Sequence, residues 1–129
     1  RCNGRRIAVS ATRRLKDAIV ATGIDRHSRD LTNVMALFAR LSLKTQKLRI
    51  MGSAALDICH VACGKSDGFY ESGIYLWDIA AGALIVERAG GRAEILETGP
   101  GHQLRFVATN GHIHRALKTE VCHRGRRPR

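Results

Sequence analysis

Residues 68–91, GFYESGIYLWDIAAGALIVERAGG, constrain the fold more than any other part of this chain. The stretch opens on Phe69 and Tyr70, reaches an acid at Glu71, and passes a glycine, Gly73, that reads as a turn. The only tryptophan, Trp77, follows, with Asp78 directly after it. From Ile79 to Val86 there is no charge, and apolar residues fall on every side of a helical projection. Such a helix is expected to be buried on nearly all sides. Asp78 falls at its start, where a short side-chain oxygen caps free backbone amides and the helix dipole favours negative charge. A carboxylate at the head of a buried helix, close to a second acid on the preceding strand, is a candidate cation site. The plainer reading of Asp78 alone is an N-cap.

The rest of the chain alternates strand and helix signals. Asn3-Gly4 is a turn, residues 7–9 read as a short strand, and residues 10–15 as a brief capped helix. Residues 18–21 are an apolar strand ending at Thr22-Gly23. After a polar loop over 25–30, Thr32 or Asn33 is placed to cap a helix. Its apolar side carries Leu31, Val34, Met35, Leu37, Phe38 and Leu41 at helical spacing. Residues 48–51 are a short strand running into Gly52-Ser53. Gly52 permits a tight turn, and Ser53 caps a largely apolar helix over 54–63. Plain capping explains that pair, but a helix N-terminus also offers free N–H groups to phosphates and hydroxyls. Asp57, inside this helix, reads as a structural acid paired with a buried amide or base. Gly90-Gly91 ends the apolar helix. Strands over 92–96 and 105–108 and a helix over 112–118 complete the chain. The pattern predicts an α/β layered sandwich, helices against a mixed β-sheet.

Composition excludes more than it selects. The chain has 129 residues, enough for one domain with a core, and 44% are apolar but only 5% aromatic. No apolar run approaches the roughly 20 residues of a membrane span. The formal charge of +11 suggests a polyanion ligand, yet the excess sits at the ends. Between Asp17 and His123, twelve basic residues face eleven acids, and no basic stripe is interleaved with aromatics. A nucleic-acid role is therefore disfavoured. Cys2, Cys59, Cys63 and Cys122 offer only one close pair, too few for a zinc site. They read as free thiols, with Cys59 and Cys63 buried, in a reducing compartment such as the cytoplasm. His112 and His114, two apart, make a poor metal pair. The sequence lacks an initiating Met, from which it is expected to begin inside something larger. Residues 1–121 are read as the folded portion and 122–129 as a basic disordered tail.

Trp77-Asp78-Ile79-Ala80-Ala81-Gly82, followed by Ile85-Val86 and Ala89-Gly90-Gly91, resembles the C-terminal signature of the inositol monophosphatase family. The segment GSAALDICHVACGKSDGFYE resembles the part of that family that lines its substrate pocket, and NGRRIAVS with LKDAIVATG resembles the join between its halves. The resemblance covers most of residues 3–120, and only the C-terminal half of the family fold. It implies magnesium-dependent hydrolysis of a phosphate monoester, with inositol monophosphate or a related polyol phosphate as substrate. Asp78 would be a catalytic Mg2+ ligand. Glu71 would contact substrate hydroxyls, and Gly52, Ser53 and Ala54 would face the substrate ring. The complete enzyme would be a homodimer.

The same resemblance shows what is missing. The family takes most of its metal-binding carboxylates from its first half, including an Asp-Pro-x-Asp-Gly-Thr loop. Here Pro100 follows Gly99, Pro128 follows Arg127, and the one Asp-Gly pair, Asp67-Gly68, lacks the surrounding motif. The implied partner is an N-terminal half supplying the other ligands, without which this chain is expected to be inactive and to associate. The alternatives are a non-catalytic truncated relative serving as a binding or assembly partner, and an unrelated polyanion-binding module.

Overall fold

In the computed structural model, which describes residues 1–24 and 30–123, nine regular elements alternate along the chain. They are β1 (Ile19–Thr22), α1 (Leu31–Lys44), β2 (Lys47–Arg49), α2 (Ala54–Ala62) and β3 (Gly68–Ile74). Then come α3 (Leu76–Arg88), β4 (Arg92–Thr98), β5 (Leu104–Thr109) and α4 (His114–Cys122). The strands form one sheet in the order β2-β1-β3-β5-β4. β1 runs parallel to both β2 and β3, whereas β5 is antiparallel to β3 and to β4. The sheet is mixed, as expected.

Alternation along the central strands sorts their side chains to two faces. Ala21, Phe69, Phe106 and Ala108 join Ile58, Val61, Ile79 and Val86 of α2 and α3 in one buried cluster. Val20, Tyr70 and Val107 join Leu41 of α1 and Leu117 and Val121 of α4 in a second. The layered sandwich of helices on a mixed sheet is therefore present. α2 and α3 cross closely because Gly82 has no side chain: a Cβ there would stand 2.7 Å from Ile58 Cγ2.

Several local expectations change. Residues 7–9 form no strand; their one backbone tie to α3 is Val9 N–H to Ala89 O at 3.2 Å. The brief helix is a single 3-10 turn at Leu15–Asp17. Asp30, not Thr32 or Asn33, caps α1, accepting from Asn33 N at 3.3 Å. Gly73 lies within β3 at φ 86°, where a register shift between Ser72 and Ile74 marks a bulge. Cys59 and Cys63 are half-buried rather than buried, and all four cysteines are free. The basic tail was expected over 122–129; α4 runs to Cys122, and residues 124–129 lie outside the described residues.

The largest departure concerns α3. Only Ile79, Gly82 and Val86 are buried, while Trp77 is 74% exposed, Leu84 55% and Leu76 54%. Leu56 of α2 and Ile95 of β4 are exposed as well. The apolar sequence of α3 outruns what this sheet covers.

Two polar clusters hold the ends of the fold. Asp67 Oδ1 accepts from Ser10 Oγ at 2.5 Å and its Oδ2 from Ile19 N at 2.7 Å. Asn110 Nδ2 donates to Ser10 Oγ and to Thr12 O, and its Oδ1 accepts from His112 N and Ile113 N. Asn110→Ala should therefore destabilise by about 2–4 kcal/mol, because several buried groups lose their partner together. A shift in the urea midpoint measures it, and a change under about 0.5 kcal/mol would show the cluster to be dispensable.

On α4, buried His114 takes Thr109 Oγ1 at Nδ1 (3.0 Å) and Glu94 Oε2 at Nε2 (2.9 Å), and Lys118 Nζ donates to Glu94 Oε1 at 2.5 Å. A neutral ring protonated at Nε2 satisfies all of these. Burial pushes the His114 pKa below its ordinary value, against the opposing pull of Glu94. Hydrogen bonds from Lys118 and His114 hold Glu94 at about 2. Both groups bind protons less readily when folded, so their stabilisation is complete above about pH 6.5. It should fall as pH drops, first through the histidine range and then between about 4.5 and 2. Urea midpoints across this range should decline in two limbs, and His114→Gln should flatten the upper one.

Candidate functional site

β2, β1 and β3 run parallel, so their C-terminal ends lie on one edge of the sheet. In open α/β sheets that edge is where ligands bind. β2 passes through Gly52-Ser53 into α2 and β3 passes through Tyr75 into α3, which brings two helix N-termini to the same edge. Gly52 and Ser53 lie in the link from β2 to α2, Ala54 opens α2, Glu71 lies on β3, and Asp78 lies in the first turn of α3.

Gly52 adopts φ 86°, the left-handed conformation a side chain would strain, and a Cβ there would meet nothing within 4 Å. The turn faces open space. Ser53 Oγ accepts from Leu56 N at 3.4 Å, so Ser53 caps α2 as expected. The capped start leaves the N–H groups of Ala54 and Ala55 directed past the end of the helix. Ala54 itself packs partly against the α2–α3 cluster.

Glu71 is half-buried on β3, one residue beyond the Thr22–Tyr70 pair of the parallel ladder. This sets it beside Gly23. A Cβ on Gly23 would stand 2.3 Å from the Glu71 carboxyl carbon, so only glycine leaves room for that acid. In sequence Gly23 reads as the end of a strand; its role appears only when β1 and β3 are paired. Thr22 Oγ1 donates to Tyr70 O at 2.6 Å and fixes the two strand ends together.

Asp78 is the third residue of α3 rather than its cap, which is Tyr75. Its Oδ2 accepts from Tyr75 N at 3.1 Å, half of a capping box. The N-cap reading is thus corrected: Asp78 supports the cap from the first turn with one oxygen engaged, and no hydrogen bond to Oδ1 occurs among the described residues. The positive end of the helix dipole opposes a cation here, and the aspartate charge offsets it. Tyr75 stacks on Trp77 at 4.8 Å between ring centroids and 5° between planes, walling the approach to this turn with aromatic surface.

One hard carboxylate oxygen suits magnesium, which favours oxygen ligands and retains several waters. One is also too few. Among the described residues no group of three His, Cys, Asp or Glu could hold a metal ion. Asp57 is no substitute: it lies within α2, is buried, and its pKa is raised by burial, with His60 pulling it down. Its Oδ1 has no hydrogen-bond partner among the described residues.

Comparison with known proteins identifies the family. The model of the inositol monophosphatase family covers residues 1–125. Inositol-1-monophosphatase of Synechocystis is 43% identical over 124 residues, which are 93% of this chain and 43% of that protein. Nus factor SuhB of Pseudomonas aeruginosa is 38% identical over 92% of this chain and 46% of its own length. The solved inositol monophosphatase from Anabaena superposes with a TM-score of 0.80 at 39% identity, over 92% of this chain and 48% of that one. The chain thus spans somewhat less than half the length of the relatives it matches. With the fold and the family match in agreement, the chain belongs to the inositol monophosphatase family.

Proposed function

We propose that this chain supplies the substrate-side half of a magnesium-dependent phosphatase acting on inositol monophosphate or a related polyol phosphate. The remaining metal ligands then come from an N-terminal half that the chain does not contain. The observation that carries this reading is that Asp78, Glu71 and the Gly52-Ser53-Ala54 turn lie on segments leaving the parallel strands β1, β2 and β3, with no group of three metal-ligating side chains among the described residues.

The roles in this reading are those the family resemblance implies. Asp78 Oδ1 would hold one cation while Oδ2 stays tied to Tyr75 N. Glu71 accepts hydrogen bonds from substrate hydroxyls, and the Ala54 and Ala55 amides donate to the same ligand. Divalent cations, when bound, neutralise phosphate oxyanions and lower the pKa of a bound water. The exposed apolar face of α3, with Leu76, Trp77, Leu84 and Ile85, is the surface the N-terminal half covers. The assembled enzyme is a homodimer that works in the cytoplasm, where its free thiols remain reduced.

The test is complementation. The chain should be inactive alone and gain phosphatase activity when combined with the N-terminal half of a relative such as the Synechocystis protein. Asp78→Asn should then lower kcat by about 10²–10³-fold, the equivalent of about 3–4 kcal/mol of transition-state stabilisation. Glu71→Gln should act mainly through KM. If Asp78→Asn retains full activity, the metal-ligand role is wrong. A complex that forms but turns over no phosphate ester points to the non-catalytic assembly reading.

Alone, the chain should self-associate through α3, and Leu84→Glu with Ile85→Lys should reduce that association and weaken complementation together. Sedimentation that finds the unsubstituted chain monomeric, with a sharp cooperative unfolding transition, would contradict the uncovered-face assignment.

A further inference from the structure

We propose that Cys59 and Cys63, one turn apart on α2, form a dithiol site that a monosubstituted trivalent arsenical bridges through its arsenic atom. The inference is independent of the phosphatase reading.

The helix builds the site. Cys63 is the C-cap of α2 and keeps helical backbone angles, φ −89° and ψ 0°. Its N–H donates to Cys59 O at 3.0 Å, so the helical spacing holds through Cys63. Side chains four apart stand on one face, with Cβ atoms about 5–6 Å from each other. Beyond Cys63 the chain turns away at Gly64, where φ is 72°. The buried line of α2 is Asp57, Ile58, Val61 and Ala62, and the two cysteines lie off it. Both are free and half-buried, so the backbone fixes them while a small reagent still reaches them.

That spacing decides what can join the two sulfurs. A disulfide needs Cβ atoms about 3.5–4.5 Å apart, so a direct S–S bond would distort the last turn of α2. A single atom placed between the sulfurs spans the wider gap and leaves the helix intact. The atom has to prefer sulfur, as soft centres do. It also has to be satisfied by two protein ligands, since no group of three His, Cys, Asp or Glu among the described residues could hold a metal ion. A structural zinc site takes four ligands and is poorly served here. A monosubstituted trivalent arsenic brings its own third substituent and needs only the two thiols.

Electrostatics agrees with the geometry. The Cys59 thiol is raised above its ordinary pKa by burial, then by the thiols of Cys63 and Cys2. A thiol held protonated is a slow nucleophile toward disulfides. The arsenical reaction uses protonated thiols directly. Phenylarsine oxide exchanges its arsenic–oxygen bond for two arsenic–sulfur bonds, and the oxygen leaves as water carrying both thiol protons. Arsenic stays trivalent, and nothing is oxidised or reduced.

The experiment treats the full 129-residue chain with one equivalent of phenylarsine oxide, then alkylates it and maps the peptides. One arsenic should be bound per chain, with Cys59 and Cys63 protected and Cys2 and Cys122 alkylated. A small dithiol should release the arsenic and restore alkylation of the pair. Cys59→Ser or Cys63→Ser should weaken binding at least ~10-fold, because the second sulfur no longer closes the ring intramolecularly. Cys2→Ser and Cys122→Ser should leave it unchanged. The urea midpoint of the unsubstituted chain should rise when the arsenical is bound, since the folded helix presents the pair already spaced. The proposal is overturned if Cys2 or Cys122 is among the protected residues, if either single serine variant of the pair binds as tightly as the unsubstituted chain, or if the midpoint does not rise.

Discussion

A helix with apolar residues on three sides has to be covered on three sides, and α3 is covered on one. Its buried line, Ile79, Gly82 and Val86, lies on the sheet and against α2. Trp77, Leu84 and Ile85 look outward. At about 25 cal/mol per Å² of apolar surface, side chains of this size left in water forgo about 1.5–3 kcal/mol each. A sequence under no pressure to bury that face would carry polar residues there. Under the proposed function, this is the face that the N-terminal half would cover.

That constraint and the chemistry meet at one place. The parallel strands β2, β1 and β3 send their connections out from a single edge, and the close α2–α3 crossing at Gly82 keeps both helix starts on the same face of the sheet. Asp78 lies at the head of α3, the helix whose outer face is uncovered. A partner laid on that face would deliver its own side chains beside this carboxylate. Under the proposed function, covering the helix and completing the site would be one event, coupling stability to ligand assembly.

What the sequence disclosed depended on how local the cause was. The capping role of Ser53, the burial of the sheet core and the placement of Asp78 at a helix start are local, and all were legible. Asp30 was missed as the α1 cap because Thr32 and Asn33 suit that position equally well by type, and only the backbone path decides among them. Gly73 reads equally as a turn or as a bulge, since both need a positive φ, and β3 resolves the matter by continuing against β5 to Ile74. Gly23 signalled only a strand end, because the carboxylate it makes room for lies 48 residues away in sequence and arrives only through parallel pairing. The expected all-round burial of α3 failed because apolar periodicity does not say which surfaces are available: Ile79, Gly82 and Val86 meet the sheet and α2, and Trp77 and Leu84 do not.

The measurement that bears most directly on the account is the anomalous scattering of manganese in crystals of the chain combined with a complementing half. A peak within coordination distance of Asp78 Oδ1, about 2.0–2.3 Å, is the expected result. Ordered density for both halves with no anomalous peak beside that oxygen would contradict it.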